Sequence, residues 1–296
     1  MFHFGVRLTR CCSFICRGWR RGRGAGSRAL FGLRWRIAHG SPRRTSNGPY
    51  TTLMAEGHPR FVLLQARDPG DPMARHEQTC FANALGVPED RITLHDLLSS
   101  SPNESVVDQH DAILVGGSGD YSVLGGHDFL PPFFDFLARV VIGEQVPTFA
   151  SCFGFQALVL AGGGEVVHDE SRAEVGTYEL TVTAAGRTDP LFSKLPATFR
   201  AQLGHKDHAA RLPAGMTNLA SSEAAPFQAL RVDGLPIIAT QFHPELTRAA
   251  NTERYLRYWD AYGTGEREND PILARMADSP ESTALLALWV EMTLGG

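Results

Sequence analysis

From Pro59 onward, short apolar runs alternate with longer segments of helical periodicity, the order of an α/β domain built on a mostly parallel sheet. Phe61-Val62-Leu63-Leu64 and Ala112-Ile113-Leu114-Val115 are continuous apolar runs, as strands covered on both faces require. Between them the pattern predicts a helix from about Pro72 to Leu85, with Gly86 as its stop. A second helix is predicted from Phe129 to Ile142, closed by Gly143, and then a short strand from Val146 to Ala150. The next helix, Phe153 to Ala161, stops at Gly162-Gly163-Gly164. Val175 to Thr183, Thr198 to Leu203, Asn218 to Ser221, Phe227 to Val232 and Ile237 to Phe242 are strand-like with few helices between them, which predicts an antiparallel layer added to the sheet. The end is helical again. One helix is expected from Thr252 to Tyr262, and a last one behind Ser279-Pro280-Glu281, where Leu285, Leu288, Trp289 and Met292 fall at helical spacing.

Of the 296 residues 43% are apolar and 20% charged, an ordinary globular composition, and no apolar run approaches the ~20 residues of a membrane span. The net charge of −4 hides a division. Residues 1–53 hold eleven Arg and no Lys, Asp or Glu, leaving 17 basic against 32 acidic residues in 54–296. So acidic a body repels nucleic acid and anionic membranes, and neither is expected as a partner. The Arg-rich segment admits three readings: a mitochondrial transit peptide, sequence upstream of a true start at Met54, or a functional extension. All three predict disorder, with a single folded domain in 54–296. Cys11, Cys12 and Cys16 lack the second ligand pair of a zinc site, so no metal is expected. Only Cys80 and Cys152 lie in the body, which fits a reducing, cytoplasmic setting unless residues 1–53 direct the chain to mitochondria.

Ala150-Ser151-Cys152-Phe153-Gly154 falls between a predicted strand and a predicted helix, the context of a nucleophile elbow. Small residues are needed two positions either side of the nucleophile, and Ala150 and Gly154 meet that need. The helix starting at Phe153 aims its first N–H groups at Cys152, favouring negative charge on the sulfur and on an oxyanion. The bland reading is a buried core cysteine. Gln241-Phe242-His243-Pro244-Glu245 follows another strand, and Pro244 keeps His243 extended, so His243 and Glu245 point to one side. Glu245 can then orient an imidazole that takes the Cys152 proton. The bland reading is a surface loop with a solvated Glu.

ASCFGFQ, with QFHPE placing its His 91 residues after the Cys, resembles the class I glutamine amidotransferase family. The resemblance runs from about Phe61 to Leu246. It implies a flavodoxin-like α/β fold, Cys152 as nucleophile, His243 as general base and Glu245 as its orienter. It also implies an oxyanion hole from the backbone N–H groups of Gly117 and Phe153, and a substrate wall from Gln156 and from the loop His205-Lys206-Asp207. Three positions depart from the family pattern: Ala150 for the first Gly, Ser118 for a Pro, and Lys206 for a Gly.

The order Cys, His, Glu excludes thiol α/β-hydrolases, which place the acid before the His, and Phe153 excludes relatives with His directly after Cys. The implied reaction is hydrolysis of the glutamine γ-amide, with no cofactor. Neither an S-G-G-x-D-S phosphate loop nor a Walker motif occurs, so a complete synthetase needs a separate ATP-using partner. The rivals are a γ-glutamyl peptidase acting on γ-glutamyl peptides or conjugates, and a catalytically silent binding protein.

Overall fold

The computed structural model describes residues 57–262 and 270–295. The Arg-rich extension expected at residues 1–53 lies outside the described residues.

Among the described residues, eleven strands form two sheets: β1 Phe61–Ala66, β2 Ile92–Asp96, β3 Ala112–Ser118, β4 Thr148–Ser151, β5 Glu165–His168, β6 Glu174–Val182, β7 Thr198–His205, β8 Asp207–Arg211, β9 Met216–Ser221, β10 Ala229–Val232 and β11 Ile237–Thr240. Nine lie in one sheet in the order β2-β1-β3-β4-β11-β10-β9-β6-β7, and β5 pairs with β8 separately. The first five positions of that order are mutually parallel. The remaining four are joined antiparallel. This is the flavodoxin-like parallel core with the added antiparallel layer that the pattern predicts.

The helices are α1 Met73–Leu85, α2 Glu104–Gln109, α3 Leu130–Phe136, α4 Phe153–Ala161, α5 Arg248–Arg257, α6 Trp259–Tyr262, α7 Pro271–Ala274 and α8 Pro280–Leu294, and a π-helical turn over Leu137–Ile142 continues α3. They cover both faces of the sheet. Phe61 and Leu63 pack with Phe81, Phe149 and Trp289 on one side, and Val62 and Leu64 with Phe133, Leu137 and Phe155 on the other. That two-sided burial is why β1 reads as an unbroken apolar run. Gly86 stops α1 in the left-handed conformation at φ 71°.

The sequence reading missed β2, β5 and β8. Strand β2 is a sheet edge whose Thr93 and Leu94 are exposed, so its pattern carries little apolar signal. The helix expected at Thr252–Tyr262 starts earlier, because Thr247 caps it through Ala250 N–H, and it breaks at Tyr258. In α8, Leu285 and Trp289 are buried but Met292 is exposed, so the core stripe runs through Leu286 and Val290 instead. Among the described residues no helix is long and apolar enough to cross a membrane.

Candidate active site

Strand β4 delivers Ser151 into a tight turn in which Cys152 adopts φ 51° and ψ −99°, a region L-residues avoid. Three contacts hold it there. The Cys152 N–H donates to Thr240 O at 2.8 Å, Ala150 is fully buried, and Gly154 lies so close to β3 that a Cβ would sit 2.7 Å from the Val115 side chain. Helix α4 begins at once, with its first N–H groups lacking intrahelical acceptors. The next ring, Phe153, stacks on Phe133 at 6.1 Å.

The neighbouring parallel strand β11 ends at Thr240 and feeds the second motif. His243 Nδ1 lies 2.7 Å from Glu245 Oε1, both side chains are buried, and the imidazole lies within electrostatic reach of the Cys152 sulfur. Burial alone would push the imidazole down. The carboxylate of Glu245 and the sulfur of Cys152 outweigh it and hold His243 at about 9. Burial likewise opposes the Glu245 charge, yet His243 and Arg254 keep that carboxyl below its ordinary value.

A cleft of about 180 Å³ opens beside the sulfur. The expected residues Cys152, Phe153, Gln156, His205, Lys206 and Asp207 all line it. Gln156 donates to Asp207 O at 2.8 Å and to Gln241 Oε1 at 3.2 Å, and Gln241 in turn donates to Cys152 Sγ at 3.7 Å. The side chains of the expected substrate loop have protein partners. Asp207 accepts from Ser122 Oγ and lies 2.7 Å from His168 Nδ1, and the buried His205 ring lies 3.2 Å from Glu174 Oε2. Lys206 Nζ is 3.4 Å from Glu170 Oε1.

Gly117 departs from expectation. Its N–H donates to Glu77 Oε1 at 3.0 Å, so it is not presented to the cleft as an oxyanion donor. The physical reason is the buried Glu77 carboxylate, which needs donors wherever it can find them.

Residues 94–259 match the family model described as Glutamine amidotransferase class-I.

The chain belongs to this family.

A glutamine-hydrolyzing GMP synthase subunit from Methanocaldococcus jannaschii is 35% identical over 114 residues, covering 38% of this chain and 57% of that protein. Its counterpart from Sulfolobus acidocaldarius is 31% identical over 153 residues, covering 51% and 77%. A glutamine amidotransferase structure from Thermotoga maritima shares the fold, with a TM-score of 0.63, 18% identity, and coverage of 81% of this chain and all of that one. The chain spans 57%, 21% and 23% of the lengths of the first three curated relatives it matches.

The amidotransferase match includes Cys152, His243 and Glu245 but leaves out Glu77 and Arg67, which precede it. Sequence reasoning missed Glu77, Arg67, Arg254, Gln241, Ser122 and His168. For Glu77 a signal existed: Gly116 and Gly117 at the end of β3. A Cβ on Gly116 would sit 2.6 Å from Glu77 Oε2, and one on Gly117 2.7 Å from His243 Cε1. Two adjacent glycines mark two large groups pressed against one strand end.

Glu77 also sets an acid limit on this amidotransferase domain. Burial raises its carboxyl, but Arg67 and Arg254 overcome that and hold it at about 2, against 4.5 in an exposed chain. Its ionic contacts therefore stabilise the fold at every pH above about 4.5 and are lost as pH falls towards 2. Thermal melts taken from pH 5 to pH 2 are expected to fall more steeply for the wild type than for Glu77→Gln. Parallel curves would remove Glu77 from the acid transition.

Proposed function

We propose that the protein hydrolyses the γ-amide of glutamine to glutamate and ammonia, with Cys152, His243 and Glu245 as its catalytic triad. The observation that carries this reading is a buried imidazole 2.7 Å from Glu245 Oε1 whose protonation is favoured by the nearby sulfur of a strained elbow residue. In that arrangement the sulfur attacks the γ-carbonyl carbon, and the proton held by His243 passes to the leaving nitrogen as the C–N bond breaks. The γ-glutamyl thioester left on Cys152 is then attacked by water, which gives its proton to His243, and glutamate leaves as the thiol reforms. The Phe153 N–H, at the start of α4, is the oxyanion donor in this reading. Gln156 and the His205–Asp207 loop form the substrate wall. The relatives named for GMP synthase support a separate synthetase as the consumer of the ammonia.

The same steps release an amine from a γ-glutamyl peptide, so the leaving group is decided by assay. The purified full chain, incubated with glutamine and with a panel of γ-glutamyl dipeptides, is followed by glutamate release with a Cys152→Ala control. Faster turnover of glutamine is expected. A dipeptide preferred by more than about ten-fold installs the peptidase reading instead, and no Cys152-dependent release from any of them sinks the function.

A further inference from the structure

Behind the His243–Glu245 pair lies a buried charged cluster that the triad chemistry does not use. At its centre is Glu77 on α1, fully buried and in contact with four residues from three separate parts of the chain. Its Oε2 accepts from Gln65 Nε2 at 2.7 Å and from Arg67 Nε at 3.2 Å. Its Oε1 accepts from Arg67 Nη2 at 3.1 Å, from the Gly117 N–H at 3.0 Å and from Arg254 Nη2 at 3.5 Å. Arg254, on α5, reaches the other way as well: Nη1 is 3.5 Å from Glu245 Oε1 and 3.3 Å from His243 Nδ1. The second Glu245 oxygen, Oε2, has no hydrogen-bond partner among the described residues. The orientation of that carboxylate therefore depends on what meets Oε1, namely His243 and Arg254.

We infer that Glu77 and Arg254 are positioning residues for the His243–Glu245 pair. Arg254 does this by sharing the oxygen that faces the imidazole. Glu77 does it by fixing both Arg254 and the Gly117 strand end against which the imidazole rests. This rests on the proposed function only in calling the pair catalytic. A cluster that merely pinned α1 and α5 to the sheet would have no need to reach His243. This one touches the imidazole twice, through Arg254 and through the backbone that Glu77 grips.

The charges around the pair give the inference a signature. Arg67 and Arg254 face the carboxylates of Asp71, Glu77 and Glu245, with Asp71 3.6 Å from Arg67 and 3.8 Å from the outer Arg257. Tyr258 donates to Asp71 and is kept neutral, chiefly by burial. Further out, His76 pairs with Glu253 at 3.6 Å, and Cys80 lies beside His76. Apart from the half-exposed Arg257, the cluster holds two positive charges against three negative ones, and an imidazolium at His243 balances that buried set. Removing the Glu77 charge should make protonation of His243 harder, and removing the Arg254 charge should make it easier.

The test follows the His243 Cε1–H resonance against pH in the intact chain, assigned by its disappearance in His243→Asn. Glu77→Gln is expected to lower the midpoint by about one pH unit and Arg254→Gln to raise it by a similar amount. Midpoints unmoved, or moved the same way in both, overturn the inference. Either single variant leaves a buried charge uncompensated and could unfold the protein. Glu77→Gln/Arg254→Gln removes one charge of each sign and is the variant built to fold. With charge balanced and the support gone, it should titrate near the wild type yet lose about ten- to hundred-fold in kcat with KM little changed. A double variant with wild-type kcat overturns the inference whatever the single variants do. The titration needs no substrate, so a wild type inactive on every γ-glutamyl compound sinks the proposed function and leaves this inference to be judged by the midpoints.

Discussion

Cys152→Ala is expected to release no glutamate above buffer, a loss of at least about 10⁴-fold in kcat/KM, while melting within about 4 °C of the wild type. The two halves of that result have separate causes. The sulfur supplies the covalent step, for which alanine has no substitute. The fold at this point is held by backbone and neighbours: the Cys152 N–H on Thr240, buried Ala150, and Gly154 against Val115. His243→Asn should lose as much, and the double variant no more than either, because the two groups act in one proton transfer. Alkylation offers a companion measurement. Burial pushes the Cys80 thiol up to about 12, so iodoacetamide at neutral pH should label Cys152 and spare Cys80 by peptide mass spectrometry. Near wild-type turnover in Cys152→Ala would sink the assignment of the nucleophile. A drop of about 10 °C or more would show that the thiol was chosen for packing.

Among the apolar core residues the largest stability effect is expected at Trp289. This side chain on α8 is 2% exposed, packs edge-on to Phe149 at 5.5 Å and tilts against Phe61 at 6.5 Å. Trp289→Ala removes the wedge between α8 and two central strands, at a cost of about 3–5 kcal/mol. At about 2–4 °C per kcal/mol for a domain of this size, calorimetry should find Tm lower by roughly 10 °C. Trp289→Phe should recover most of that, since the indole Nε1 has no hydrogen-bond partner among the described residues to lose. Turnover well below the new Tm should persist, as no catalytic side chain touches the indole. A shift under about 3 °C for the alanine variant would mean that α8 contributes little to the core.

The two motifs are readable because each combines an unbroken apolar strand with a chemical group at its end. Cys152 follows β4, and His243 and Glu245 follow β11, and the cleft collects Phe153, Gln156, His205, Lys206 and Asp207 around the sulfur as the family resemblance implies. What stays hidden is chemistry delivered by helices at right angles to that logic. Glu77 sits in a helix beside His76 and Gln78, where a single acidic residue looks like a solvated face. Arg254 is one of several arginines on α5, and nothing local separates it from the half-exposed Arg257. Their roles follow from which side of each helix meets the sheet, and neighbouring residues do not fix that. Gly117 misleads for a related reason: the glycine is required, but the demand comes from the His243 ring, and its N–H is turned to Glu77.

The pairing of β4 with β11 brings Ser151 beside Thr240, so Cys152 and the His243 segment leave the sheet from one rung of the parallel ladder. Everything between them, from α4 through β10, leaves at the Ser151 end of β4 and rejoins the ladder at the opposite end, where Ile237 pairs with Thr148 and β11 runs alongside β4. Its length therefore does not enter the distance between sulfur and imidazole. That excursion, which carries the Gln156 and His205–Asp207 wall of the cleft, can change length while Cys152 and His243 stay where the ladder puts them. The interval of 91 residues does not set the distance; two paired strand ends, Ser151 and Thr240, do.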